Sequence, residues 1–335
     1  MIKMAEQKEN KFARRQFLAR VGKAGASIAA AGIAAKLLYD DKGPRTSVKP
    51  EELVTLPDFS AATKPGQIMS VVKGPDRVNG VNKAIDLLGG IERFVKEGDV
   101  VVIKPNVAFA TSPILGATSN PELIAEVVKL CYSRGKAKKV YVTDNPINDP
   151  ASCFMLSGVG KWTERSGAEV ILPKESSFKL TNLEGGRLIK NWPIFFAPFE
   201  KCDKVIGIAP VKDHDRSGAS MTIKNWYGLL GGRRNIFHQD INTIIAELAM
   251  MVKPTLVILD GTYTMMTNGP TGGSMADLKK TDTIIASCDM VAADAYGCGL
   301  LGLKPEQLPY LAKAQKAGAG TVDYMKLKPK IADTV

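Results

Sequence analysis

Four short apolar runs constrain this chain more than any other feature: Val100–Ile103, Val140–Thr143, Val205–Ala209 and Thr255–Leu259. Each is almost continuous rather than alternating, and each stops at a polar or chain-turning residue. A strand that alternates apolar and polar residues has one wet face; a continuous run suits a strand covered on both faces, as in a parallel sheet. Helical patterns lie between the runs. Val78 to Val95 has helical spacing, and Asn120-Pro121-Glu122 opens a second helix that runs to Arg134 and stops at Gly135. There Asn caps, Pro occupies the first turn and Glu meets the positive helix end. Further helices are expected over Ser152–Arg165, Ile241–Val252, Met290–Leu301 and Pro305–Ala317, and further strands at Ile68–Val72, Glu169–Leu172 and Thr283–Ser287. Strand and helix in alternation imply right-handed crossovers. The expected fold is α/β: a mostly parallel central sheet with helices on both faces. Phe178 to Pro198, with Gly185-Gly186 near its turn, reads as a small hairpin insertion. Residues 67–320 are expected to form a single α/β domain, and 321–335 a C-terminal tail.

The N-terminus has a different character. Arg14-Arg15-Gln16-Phe17-Leu18 precedes a small-residue apolar stretch from Val21 to Leu38 that is interrupted by Lys23 and Lys36. Charge followed by modest hydrophobicity is the order of an export signal, and the paired arginines resemble the twin-arginine type. The uninterrupted apolar length falls short of the ~20 residues of a conventional spanning helix. Residues 1–39 are therefore expected to be a signal or anchor segment, read by a twin-arginine translocon, on a periplasmic or otherwise exported protein. Residues 40–66, with Pro44, Pro50, Pro57 and Pro65, read as an extended linker.

This segment also explains the basic charge. Of the formal net charge of +11, more than half comes from residues 1–45, where ten Lys and Arg stand against four acids. The body carries a mild field with no basic run interleaved with aromatics, which argues against nucleic acid and leaves a small anionic ligand open. The five cysteines form no C-x-x-C pair, so no iron–sulfur cluster ligated by this chain is expected. Phosphate-loop, nucleophile-elbow, zincin and EF-hand signatures are missing.

Ligands of open α/β sheets bind beyond the carboxyl ends of the strands. The four runs release, in order, Lys104 and Asn106; Asp144; Lys212, Asp213 and His214; and Asp260, followed by Asn268-Gly269-Pro270. Both histidines of the chain, His214 and His238, flank the segment Thr222-Ile223-Lys224-Asn225. Histidine supports proton transfer near neutral pH, anion binding or metal ligation. Lys104 and Lys224, and Arg233-Arg234 after a double glycine, suit an anion. Asp260, Asp289 and Asp294 offer carboxylates for a cation or a general base, and Asp289 also suits the cap of the helix at Met290.

In their order and spacing, several strings resemble the family catalogued as domain of unknown function 362. These are Val101 to Asn106, Thr118 to Pro121, Val142-Thr143-Asp144, the His214 loop, Ile223-Lys224-Asn225 with Gly228, His238, Asp260-Gly261, Gly269-Pro270, and Ser287-Cys288-Asp289 with Asp294. The similarity spans roughly residues 68 to 300. Asp213 stands where that pattern carries Thr. The resemblance implies a redox setting and supports Lys104, Asn106, His214, Lys224, Asn225, His238, Asp260, Asp289 and Asp294 as site residues. Taken together, these readings give a catalytic set of His214, Asp260 and Lys224. The ligand-holding set is Lys104, Asn106, Asp144, Asn225, His238, Asn268, Asp289 and Asp294. The cofactor and any metal stay open. One functional class is an exported enzyme acting on an anionic small molecule or redox cofactor. The other is a non-catalytic binding or maturation protein serving a redox protein partner.

Overall fold

The computed structural model describes residues 18–27, 29–33, 36, 53–62 and 66–334. Residues 18–27 and 29–33 are helical (α1). Arg14 and Arg15 lie outside the described residues, and among those described no helix is long and apolar enough to cross a membrane. Residues 50–335 form one compact unit.

A nine-stranded sheet runs through that unit. Its strands are β1 (Met69–Lys73), β2 (Val100–Lys104), β3 (Lys139–Thr143), β4 (Glu169–Ile171), β7 (Lys204–His214), β8 (Gly218–Ser220), β9 (Leu256–Met265), β10 (Leu278–Ser287) and β11 (Lys330–Asp333). Their order is β11-β1-β10-β9-β7-β2-β3-β4, with β8 paired to β7. The ladder from β9 through β7, β2 and β3 to β4 is parallel. β10 runs antiparallel to both β9 and β1. Strands β5 (Phe178–Thr181) and β6 (Trp192–Phe195) form the separate antiparallel hairpin.

Side chains alternate across each strand, so each continuous run feeds two cores. Val102, Val205, Val257 and Leu259 pack on one face, with helices α6 (Thr222–Asn225), α7 (Ile241–Met251), α8 (Met290–Leu300) and α9 (Pro309–Lys316). Val101, Ile103, Ile206, Leu256 and Ile258 pack on the other, with α2 (Arg77–Leu87), α3 (Pro121–Ser133), α4 (Pro150–Leu156) and α5 (Val159–Arg165). Asn120 caps α3 as its sequence requires, accepting from the N–H groups of Glu122 and Leu123.

Two segments differ from their sequence reading, and a third, the linker, rests on the body where it is described. Pro210 reads as a stop, yet β7 continues through His214; the ladder to β9 shifts register there, which absorbs the missing N–H. The 321–335 tail contributes β11, which covers the edge of β1 in parallel. Within the linker, Val54 bridges Thr181, and Leu56 and Phe59 are buried on the body. Helix α6 lies close over β7. A Cβ at Gly207 would come within 2.8 Å of the Trp226 ring that follows α6. Gly207→Ala should therefore lower unfolding stability by about 1–3 kcal/mol. Denaturant unfolding checks this; an unchanged midpoint would mean the ring does not press on the strand.

Candidate functional site

Three adjacent strands, β3, β2 and β7, deliver the floor of a cavity of about 110 Å³. Lys104 ends β2 and Asp144 follows β3. Their Nζ and Oδ1 atoms are 2.7 Å apart, with both side chains almost fully buried. Lys104 Nζ also donates to Pro105 O and to Asn225 Oδ1, at 2.9 Å each. Asp144 accepts the Val107 and Asn145 N–H groups. Burial pulls the Lys104 ammonium below its usual range, and the Asp144 charge opposes that. Asn225 Nδ2 returns to Lys104 O and Ile208 O, which pins the C-terminal end of α6 to the strand ends. A Cβ at Gly228 would collide with the Asp144 carboxylate, so the roof over this pair has to be glycine.

The other cations divide into engaged and free. Lys212 Nζ donates to Ala117 O at 2.5 Å, Pro270 O at 3.3 Å and Asn106 Oδ1 at 3.4 Å. Burial, then the Lys224 charge, lowers it to about 7. Arg234 donates to Asn145 O, Pro146 O, Tyr227 O and Leu230 O. It clasps loops, whereas its place after the double glycine read as an anion contact; Arg233 is exposed. Lys224 lines the cavity and makes no hydrogen bond or ion pair among the described residues. Its Nζ lies 5.4 Å from the centroid of the Tyr227 ring, and the exposed Asp215 carboxylate acts on it only through its charge. Burial, then Arg234, lowers Lys224 to about 8.

His214 ends β7 at the tip of the hairpin with β8. Its Nδ1 accepts the Arg216 and Ser217 N–H groups at 3.1 and 3.4 Å. Backbone N–H groups only donate, so Nδ1 is bare and the ring proton sits on Nε2. Asp215 Oδ1 also lies 3.1 Å from Nδ1, but with no proton between them this is not an ion pair, and Asp215 is exposed to screening water. Burial, then the Lys224 and Lys212 charges, depresses His214 to about 3, so it is a neutral Nε2–H donor at pH 7. The His238 ring lies 6.3 Å from it, nearly parallel at 17°.

The structure thus gathers Asn106, Asp144, His214, Lys224, Asn225 and His238 around one cavity, with Lys104 beneath. It places the remaining expected residues elsewhere. Asp260 shares its side of the sheet with Leu256 and Ile258, opposite to that of Lys104 and Val102. It pairs at 2.9 Å with Arg77 of α2 in a separate hollow. Asn268 donates to Asp277 within its own loop. Asp289 caps α8 and accepts from Thr321 N–H. Asp294 lies under the start of α6, accepting from the Thr222 N–H, the Thr222 hydroxyl and the Ile223 N–H. Burial pushes its carboxyl up to about 7 against those donors. Asp213, the departure from the family pattern, accepts from Gly269 N–H and ties down the Asn268-Gly269-Pro270 loop. Lys212, Arg234 and Tyr227 also line the cavity; the sequence reading named Arg234 only as a candidate anion contact, Lys212 only as a residue after a strand, and Tyr227 not as a site residue. The clue for Lys212 was its even spacing from His214 along one strand, hidden by the apparent stop at Pro210.

Among the described residues no group of three or more His, Cys, Asp or Glu is placed to hold a metal. The five cysteines are free, and burial pushes their thiols up to about 11 or 12. That makes them poor nucleophiles.

Comparison with known proteins agrees with the resemblance. The family described as "Domain of unknown function (DUF362)" matches residues 101–299, more than half of the chain. A thylakoid-associated protein of Synechocystis sp. is 26% identical over 247 residues, covering 70% of this chain and 73% of the relative. Two solved structures are also similar at 13% identity. The lactate racemase apoprotein of Thermoanaerobacterium thermosaccharolyticum matches with a TM-score of 0.37 over 73% of this chain and 58% of that one. A Thermotoga maritima protein matches with a TM-score of 0.34 over 56% of this chain and 51% of that one. The chain thus spans less than two thirds of either solved structure. On the family match, this chain belongs to the domain of unknown function 362 family.

Proposed function

We propose that the cavity binds a small anion and that the protein is an exported enzyme acting on it. The observation that carries this reading is Lys224. Lys104, Lys212 and Arg234 each satisfy their donors within the protein, whereas Lys224 reaches the cavity with no acceptor. A half-desolvated ammonium without a partner is costly to keep, and a ligand carboxylate or phosphate would supply the missing charge. The neutral His214 Nε2–H adds a second donor to the same lining. A cavity of about 110 Å³ suits a ligand of few atoms rather than a dinucleotide.

Export is supported by the Arg14-Arg15 segment and its weakly apolar continuation. The thylakoid association of the Synechocystis relative fits a chain held beside a membrane, where redox partners are at hand.

Lys224 gives the first test of this reading. Its ammonium persists below about 8 and is lost above it. Affinity for inorganic phosphate or malonate, measured by calorimetry, should therefore fall as pH rises through about 8. Lys224→Gln should lose about 10- to 100-fold in affinity, one charge-assisted hydrogen bond, and the pH step with it. Lys224→Met leaves no protein acceptor orphaned and removes a buried charge. It should gain roughly 1–3 kcal/mol of stability while binding nothing. Unchanged affinity in both variants would refute the reading. For export, Arg14→Lys with Arg15→Lys should hold the protein in the cytoplasm; normal secretion of that variant would overturn the assignment.

A further inference from the structure

We infer that His238 is the proton acceptor of this cavity. Its substrate is then a small anion carrying an acidic C–H or O–H beside its anionic group. The inference rests on the anion-binding reading and adds the chemistry.

The hydrogen bonds around the ring settle where its proton sits. Tyr227 Oη lies 2.6 Å from Arg234 O. A carbonyl only accepts, so the phenolic proton is engaged there. Tyr227 Oη is also 3.3 Å from His238 Nδ1, and Asn235 O is 3.2 Å from the same nitrogen. Neither oxygen has a proton left to give, so Nδ1 carries one and shares it between them. The neutral ring then holds its lone pair on Nε2. His214 has the opposite tautomer, with Nδ1 closed off by backbone donors and the proton on Nε2. Both rings line the cavity. The lining therefore presents a base and a donor on two stacked rings, together with Lys224. Burial, then the Lys224 and Arg216 charges, keeps His238 below its usual range, against the pull of Asn235 O, and so neutral near pH 7.

In the step this permits, Nε2 of His238 takes the proton as the substrate C–H or O–H bond breaks. The electron pair stays on the substrate and spreads onto the adjacent oxygens, where the Lys224 ammonium and the His214 Nε2–H stabilise it. The resulting imidazolium sits among cations and gives the proton back. No oxidant or reductant is consumed, so the reaction class is proton removal and return: isomerisation, epimerisation or exchange. Tyr227 is a positioning residue, acting through the tautomer it imposes.

The two histidines make the test clean in an untagged full-length chain. Two-bond ¹H–¹⁵N correlation at pH 7, assigned with His214→Gln and His238→Gln, should show His214 as Nε2–H and His238 as Nδ1–H. Diethyl pyrocarbonate should label His238 at least tenfold faster than His214. Inorganic phosphate should slow that labelling in the wild type but not in Lys224→Gln. In D₂O, a panel of two- to four-carbon carboxylates followed by NMR should include one whose proton exchange disappears in His238→Gln. An Nε2–H tautomer at His238, equal labelling of both rings, or no exchange across the panel overturns the inference. Correct tautomers and labelling without phosphate protection sink the anion-binding reading instead.

Discussion

The buried Lys104–Asp144 pair organises everything around it. Taking two charges out of water costs several kcal/mol per ion, and their attraction offsets this only when the remaining donors and acceptors are filled. Here they are. The ammonium reaches Asp144, Pro105 O and Asn225, while the carboxylate collects the Val107 and Asn145 N–H groups. The pair therefore acts less as a source of net stability than as a specification of geometry. It joins the ends of β2 and β3, fixes the loop at Val107, and holds Asn225 so that the residue before it, Lys224, faces the cavity.

Helix α6 has only four residues, far too few to be stable alone. It is held at both ends by groups from other elements. Asp294 of α8 satisfies the first N–H groups, the ones a helix leaves orphaned. Asn225 ties the other end to β2 and β7. Expected as a ligand-holding carboxylate, Asp294 instead positions the helix that carries Lys224.

Much of this was legible beforehand. Continuous runs such as Val100–Ile103 report burial on two faces, and that alone dictates a parallel sheet with helices on both sides. Position after a strand end marked Lys104, Asp144 and His214, and the flanking histidines marked the Lys224 segment; the structure brings these residues around or beneath one cavity. Asp260 lies apart: it continues on the side of Leu256 and Ile258, where Arg77 of α2 pairs with it. The continuation of β7 was hidden by Pro210, whose lost N–H is tolerated only because the ladder to β9 shifts there. The roles of Lys212 and Arg234 depend on carbonyls from Ala117, Pro146 and Pro270, distant in sequence and unmarked by side-chain type. No local pattern announces them.

The way the two histidines are held bears on what a site of this kind can do. His214 and Lys224 belong to one short path, the tip of the β7–β8 hairpin leading directly into α6, so both donors move as one piece with the sheet. His238 comes from a separate 3-10 segment, Arg234–Asp240, fastened to the loop after β3 through Arg234 and the carbonyls of Asn145 and Pro146. Each ring has its tautomer set by groups of the protein itself: turn N–H groups for His214, and Tyr227 with Asn235 O for His238. Neither assignment depends on a bound ligand. A site whose hydrogen-bonding polarity is established before anything enters needs little reorganisation when charge develops, which is where preorganised donors are most effective. The same arrangement leaves Lys224 half-buried with no hydrogen bond or ion pair among the described residues, and holding an ammonium in that way costs stability. The cationic lining and the fixed tautomers therefore arise from the same packing of α6 and its neighbouring loops against the strand ends.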